Sequence, residues 1–287
     1  MKKLFILISL GMSIITGCFD NTKFTTSDIT YTTTYPIEFI TDKLYGEFST
    51  IKSIYPNGIS INEYNLTEKQ KNNYALEKTF VYNGLNDEVK VAVDFLNINE
   101  DINIIDAMKN TSYNYAIEEL WLDPSNYLMI ARNVKESLID YENNVYTKET
   151  ISKNYEDLKI KISELDVELT MIGKNASYKN IVVANEALRY LSKYKINVLS
   201  LDEKNEEADK NLSNAKKLAE KDEIIYLYKF KNYKLPENIQ SFVNTYDIEV
   251  IDFDTMENLT EEQRKEEENY ITIMKSNIDN IKKELLK

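Results

Sequence analysis

Apolar positions along this chain switch between two rhythms. Short β-branched or aromatic runs at Ile29–Thr34, Ile51–Tyr55, Thr79–Tyr82 and Ile102–Ile105 predict strands, because such side chains pack well on a pleated, half-buried surface. Between them the pattern is helical. A short helix opens at Pro36 and closes near Gly46, and two more are predicted at Thr67–Glu77 and Asp87–Leu96. The same succession returns later. Strands are predicted at Ile181–Ala184, Asn197–Leu201, Ile224–Tyr228 and Glu249–Phe253, with helices at Glu186–Tyr194, Asp209–Glu220 and Glu237–Tyr246. Ile271, Met274, Ile278, Ile281 and Leu285 mark a last helix, and the acidic run Glu261–Glu268 reads as a solvated helix start. Strand and helix alternate in both halves, which predicts parallel sheets covered by helices.

The two halves meet at Trp121-Leu122-Asp123-Pro124, which holds the only Trp. Asp123 is a natural N-cap, and Pro124 suits a first turn because its missing N–H would be unpaired there anyway. Leu128, Ala131, Val134, Leu138 and Tyr141 then form one apolar face. This predicts a helix over 123–146 that links the lobes, with Trp121 packed at their junction. A second long helix follows. Ile151, Tyr155, Leu158, Ile162, Leu165, Leu169 and Ile172 are spaced 4-3-4-3-4-3, a stripe that a coiled-coil partner or the same chain could cover; packing within the chain is the preferred reading. Gly173 is the expected C-cap. The fold class predicted is α/β, with two lobes, each a parallel-type sheet flanked by helices, joined by one long helix. The division expected is a targeting segment at 1–17, a tether at 18–28, lobes at 29–122 and 147–287, and the linking helix between them.

Composition narrows the chemistry. At 287 residues and 43% hydrophobic the chain can build two cores, while a net charge of −13 leaves no basic footprint for nucleic acid. Histidine is absent, which removes the commonest general base and the commonest transition-metal ligand. There is no Gly-rich phosphate loop, and the sole cysteine is Cys18, so an enzyme is not expected. Lys2 and Lys3 precede an apolar run from Leu4 to Ile15 that is too short to span a membrane, and Ile15-Thr16-Gly17-Cys18 ends it. That ending resembles a bacterial lipobox. It implies cleavage before Cys18, lipidation of that residue, and an extracytoplasmic protein anchored to the cell membrane. With Cys18 consumed no disulfide is possible, and packing alone holds the fold.

An ordered set of short motifs carries a wider resemblance. Thr32-Thr33-Thr34-Tyr35-Pro36, Pro56-Asn57-Gly58 with Tyr64 and Thr67, Tyr82-Asn83-Gly84-Leu85, and Trp121-Leu122-Asp123-Pro124 resemble landmarks of the zinc- and manganese-binding solute-binding proteins of ABC transporters. Val182-Val183-Ala184-Asn185-Glu186-Ala187 with Tyr190, and then Tyr270, Met274 and Asn277, match its second lobe. The resemblance implies a bilobal monomer with a rigid helix between the lobes, a metal as cargo in the cleft, and a permease and its ATPase as partners.

The family's ligands are three His and one Asp or Glu. By resemblance these positions are Asn62, Glu119, Asn185 and Asp254 here, with Asp252 the alternative for the acid. All three imidazoles are replaced, and no His-rich loop is present. Two carboxylates and two amides suit Mn²⁺, Mg²⁺ or Ca²⁺ better than Zn²⁺, which favours nitrogen and sulfur. Glu63, Glu118 and Glu186 flank these positions and add negative potential. Two other readings stand beside the hard cation: the amides bond turn backbone and no metal is held, or the acids and nearby tyrosines hold an organic cation or small polar ligand. No resident cofactor is expected. The functional alternatives are a transport receptor and a receptor-derived surface lipoprotein serving adhesion, sensing or assembly.

Overall fold

A computed structural model describes residues 28–287; Cys18 and the targeting segment lie outside the described residues. The first half runs β1 (Ile29–Thr32), α1 (Tyr35–Tyr45), β2 (Thr50–Ser53), a 3-10 turn (Ile61–Glu63), α2 (Glu68–Ala75), β3 (Thr79–Tyr82), α3 (Glu88–Ile98) and β4 (Asn103–Asp106). A short α4 (Glu119–Leu122) leads into α5 (Pro124–Tyr141) and α6 (Val145–Asn175). The second half is β5 (Asn180–Val183), a 3-10 helix (Glu186–Tyr194), β6 (Asn197–Ser200), α7 (Ala208–Ala219), β7 (Tyr226–Phe230), α8 (Glu237–Tyr246), β8 (Glu249–Phe253), α9 (Glu261–Lys265) and α10 (Tyr270–Leu285).

Each half holds one four-stranded sheet, in the orders β2-β1-β3-β4 and β6-β5-β7-β8, and every pairing is parallel. In each sheet the order reverses direction beside its first strand. That is the topological switch point of an open α/β sheet, where crevices form outside the strands' carboxyl ends.

Local chemistry starts the helices, at Asp123 as read from the sequence. Asp123 accepts from the Ser125 N–H at 2.9 Å, with Pro124 in the first turn. Thr67 with Gln70, Thr260 with Gln263 and Asn269 with Thr272 close reciprocal capping boxes.

The linking helix expected over 123–146 ends at Tyr141, and the second long helix starts already at Val145. Glu142 and Asn144 adopt extended backbone, and Asn144 caps the new start by accepting from Tyr146 and Thr147. α6, rather than α5, makes the broad contact with both halves: it packs against α1 and α5 on one side, and α10 and the second-half 3-10 helix on the other. Ile151, Leu158, Ile162, Leu165, Leu169 and Ile172 are buried by these helices, so the stripe is covered within the chain. Gly173 is not a C-cap either. α6 runs through it to Asn175, and a Cβ at this position would overlap the carbonyl oxygen of Tyr194. The glycine permits a close approach of two elements.

The largest core lies between the sheets, where α1, α5, α6 and α10 meet. Trp121, 1% exposed, is at its centre: its indole N–H donates to the Thr255 carbonyl at 2.7 Å, and the Tyr270 hydroxyl donates to the Trp121 carbonyl at 2.6 Å. Smaller cores sit under the outer helices, one around Phe80 and Phe95, the other around Leu227 and Phe242.

Candidate functional site

Loops at the strands' carboxyl ends face one another across the two halves, and the segment after β8 ties them together. The Tyr35 N–H donates to the Glu257 carbonyl and the Gly58 N–H to the Leu259 carbonyl, both at 2.9 Å. Gly58 sits at φ 71°, a left-handed turn that glycine adopts without strain. The Asn258 amide donates to the carbonyls of Pro56 at 2.7 Å and Ile59 at 3.0 Å. Behind them Arg264 grips Glu38 through both terminal nitrogens, each 2.8 Å from a carboxylate oxygen, a planar fork that matches the carboxylate. Deeper in, Lys193 pairs with Asp123, and the Arg189 guanidinium lies 4.4 Å from the centre of the Tyr115 ring.

The four positions implied by resemblance have distinct surroundings. Asn62 is exposed and lines a cavity within the first half, which none of the other three lines. Glu119 is buried, and its carboxylate accepts from the N–H groups of Asn114 at 3.2 Å and Tyr115 at 3.1 Å. Asn185 is buried, and its amide oxygen accepts from the Phe230 N–H at 2.8 Å, closing the end of β7. Asp254 lies beside Lys231 in a separate hollow, accepting from the Met256 N–H at 2.8 Å and the Gln263 amide at 2.9 Å. α4 packs against the second-half 3-10 helix, so Glu119 and Asn185 stand on or beside touching elements. Asp252 is exposed and pairs with Lys229 at 2.6 Å. Among the described residues, no group of three or more His, Cys, Asp or Glu converges as a metal cage.

Of the flanking acids, Glu186 pairs with Arg189 at 3.1 Å and Glu63 is exposed. Burial pushes the Glu118 carboxyl up, so that it holds its proton more readily; nearby Asp202 adds to this and Lys204 opposes it. Two further glutamates were not singled out by sequence. Burial pushes Glu257 up, helped by the charge of Glu118. Burial also pushes Glu88 up, to about 7, against the pull of the Thr33 hydroxyl and of the Asn83 N–H that it accepts at 3.0 Å. The signal available for Glu88 was its place at the first turn of α3, five residues after Asn83. Burial and mutual repulsion hold these carboxyls back from ionising, and a positive charge placed near them would favour their ionised forms.

Comparison with known proteins decides the family. The model of the zinc-uptake complex component A periplasmic family matches residues 30–284. The chain belongs to this family of ABC-transporter solute-binding proteins. It is 23% identical over 312 residues to the zinc-binding lipoprotein AdcA of Streptococcus pneumoniae, covering 98% of this chain and 61% of that one. The chain thus spans about three-fifths of the length of these AdcA relatives. It is 27% identical over 320 residues to the manganese ABC transporter substrate-binding lipoprotein PsaA of Streptococcus anginosus, covering all of both chains. The Zn(II)-bound ZnuA-like domain of S. pneumoniae AdcA superposes with a TM-score of 0.72 at 23% identity, over 90% of this chain and 99% of that one. YcdH of Bacillus subtilis gives 0.73 at 21%, over 91% and 100%. The two-sheet α/β fold is the family's, and the family is one of solute-binding proteins rather than enzymes.

Proposed function

We propose that this chain is the extracytoplasmic solute receptor of an ABC importer, anchored through lipid on Cys18 and delivering a cation other than zinc to a permease and its ATPase. The observation that carries this reading is the donor chemistry on a family scaffold: Asn62, Glu119 and Asn185 offer oxygen where the resemblance implies imidazole, and Asp254 stands at the implied acid position. Oxygen donors favour hard cations such as Mn²⁺, Mg²⁺ or Ca²⁺. Glu118 raises the Glu257 carboxyl by repulsion, and a positively charged solute beside them would relieve it.

A second reading has its own support. Glu119 and Asn185 spend their oxygens on backbone N–H groups, and a surface lipoprotein serving adhesion, sensing or assembly needs only the scaffold. The laminin-binding protein Lbp of Streptococcus pyogenes shares the fold, with a TM-score of 0.68 at 16% identity. Metal analysis of protein purified from native membranes, with Mn²⁺, Ca²⁺ and Zn²⁺ titrations after chelation, separates the two. The receptor reading expects a hard cation to bind and zinc to bind poorly; the lipoprotein reading expects neither.

A further inference from the structure

Asp28, where the described residues begin, stands at the end of the first sheet opposite the cleft. The four strands of that sheet are parallel and in step, with Ile29 beside Thr50, Thr30 beside Thr79 and Thr79 beside Asn103. All of them therefore start on one face, and the cleft loops follow their other ends. Asp28 is held on this face by Lys78 at 2.6 Å, and its carbonyl accepts from the Thr50 N–H at 2.9 Å. The turn between α5 and α6 is drawn to the same place. There the Tyr45 hydroxyl donates to Glu142, and Phe48 meets Tyr146 edge to face with ring centres 6.3 Å apart.

This end carries the three most exposed large hydrophobic residues among those described: Leu76 at 74%, Val145 at 68% and Tyr146 at 62%. Tyr141, 41% exposed, stands with them at the end of α5. Leu76 precedes Glu77, whose carboxylate accepts from the Ile29 N–H at 3.3 Å. Apolar side chains gain by leaving water. The bordering acids Asp28, Glu77 and Glu142 each bond within the chain, so they do not mark the face as a site for a basic partner. No helix among the described residues is long and apolar enough to cross a membrane.

We propose that this face rests on the lipid bilayer, with Tyr141, Val145 and Tyr146 in the headgroup interface and Leu76 at its rim. The tether selects a bilayer over a protein partner. Residues 18–27 join the lipid proposed on Cys18 to Asp28, and ten residues reach at most about 35 Å. The face is thereby kept near the surface at high effective concentration. Tyrosine suits the boundary between water and lipid, having an apolar ring and a polar tip. A contact of this size is reversible. While it lasts, the cleft is turned away from the bilayer toward incoming solute; release lets the tethered chain bring its cleft to the permease. The inference rests on the reading of Cys18 as the lipid anchor.

The chain from Cys18 onward, coupled through this sole cysteine to a maleimide lipid in phosphatidylcholine vesicles, tests it. Tyr146→Trp places a fluorescent reporter on the face. Tyr113→Trp places one on the exposed loop after β4, at the cleft end, and buried Trp121 is the common background. Phospholipids brominated on their acyl chains should quench Tyr146→Trp, whose emission should shift to the blue, and leave Tyr113→Trp unchanged. Val145→Asp puts an acid in the first turn of α6, which a helix start tolerates, and should abolish the quenching of Tyr146→Trp. No quenching of that reporter, equal quenching of both reporters, or quenching that survives Val145→Asp would overturn the proposal and leave the anchor reading intact. Cys18 found unacylated in cells would overturn the anchor reading and the proposal with it.

Discussion

The amide oxygen of Asn185 accepts the backbone N–H of Phe230 at 2.8 Å. One residue at the end of β5 thereby closes the neighbouring end of β7, at the position where family resemblance puts a metal ligand. Replacing Asn185 with Ala leaves that N–H without its acceptor and should cost about 1–3 kcal/mol. Asn185→Asp retains an acceptor and should lose less. Urea unfolding of both variants checks the ordering.

Trp121 joins the halves through its packing and through hydrogen bonds to Thr255 and from Tyr270. Trp121→Ala should therefore destabilise the whole molecule by about 3–5 kcal/mol. Loss of one cooperative thermal transition, rather than of one half alone, is the expected result. Near-wild-type melting would show that the junction does not depend on this ring.

The same residues show what could be read in advance. The alternation of strands and helices, and the start at Asp123-Pro124, were legible because each rests on local chemistry: β-branched runs, capping groups and apolar periodicity. The break between the two long helices was read a few residues late, because its position is set by Asn144 capping the new start rather than by any gap in the apolar pattern. Gly173 misled for a related reason. Its role is set by Tyr194, 21 residues later, and no local pattern records that contact. For the four positions implied by resemblance, the hydrogen bonds depend on loops from elsewhere, such as Asn114–Tyr115 against Glu119. Glu88 and Glu257 acquire their character from burial, which a single sequence does not display.

Glu88 gives the stability a pH dependence. Its folded carboxyl is raised to about 7 from an ordinary 4.5, so between those values the native state binds more protons than the unfolded state. Its contribution to stability is fully present below pH 4.5 and is lost as pH rises through 7. Glu118 and Glu257 shift in the same direction. Glu88→Gln should flatten the fall in stability across this window, as measured by chemical unfolding at a series of pH values. An unchanged slope would place the Glu88 carboxyl near its ordinary value.

Anchoring through Cys18 predicts that wild type incorporates a fatty-acid analogue and fractionates with membranes. Cys18→Ser should do neither, because stable attachment requires the acyl chains of the lipid. Equal labelling of the two proteins would remove the anchor from the account.

Zinc titration of the chelator-treated wild-type protein by calorimetry tests the central claim most directly. Oxygen donors at Asn62, Glu119, Asn185 and Asp254 forgo the nitrogen ligands that zinc favours. The account predicts no tight one-to-one zinc binding and no zinc-dependent rise in melting temperature, since only a ligand of the folded state stabilises it by mass action. Tight one-to-one binding accompanied by such a rise would contradict it.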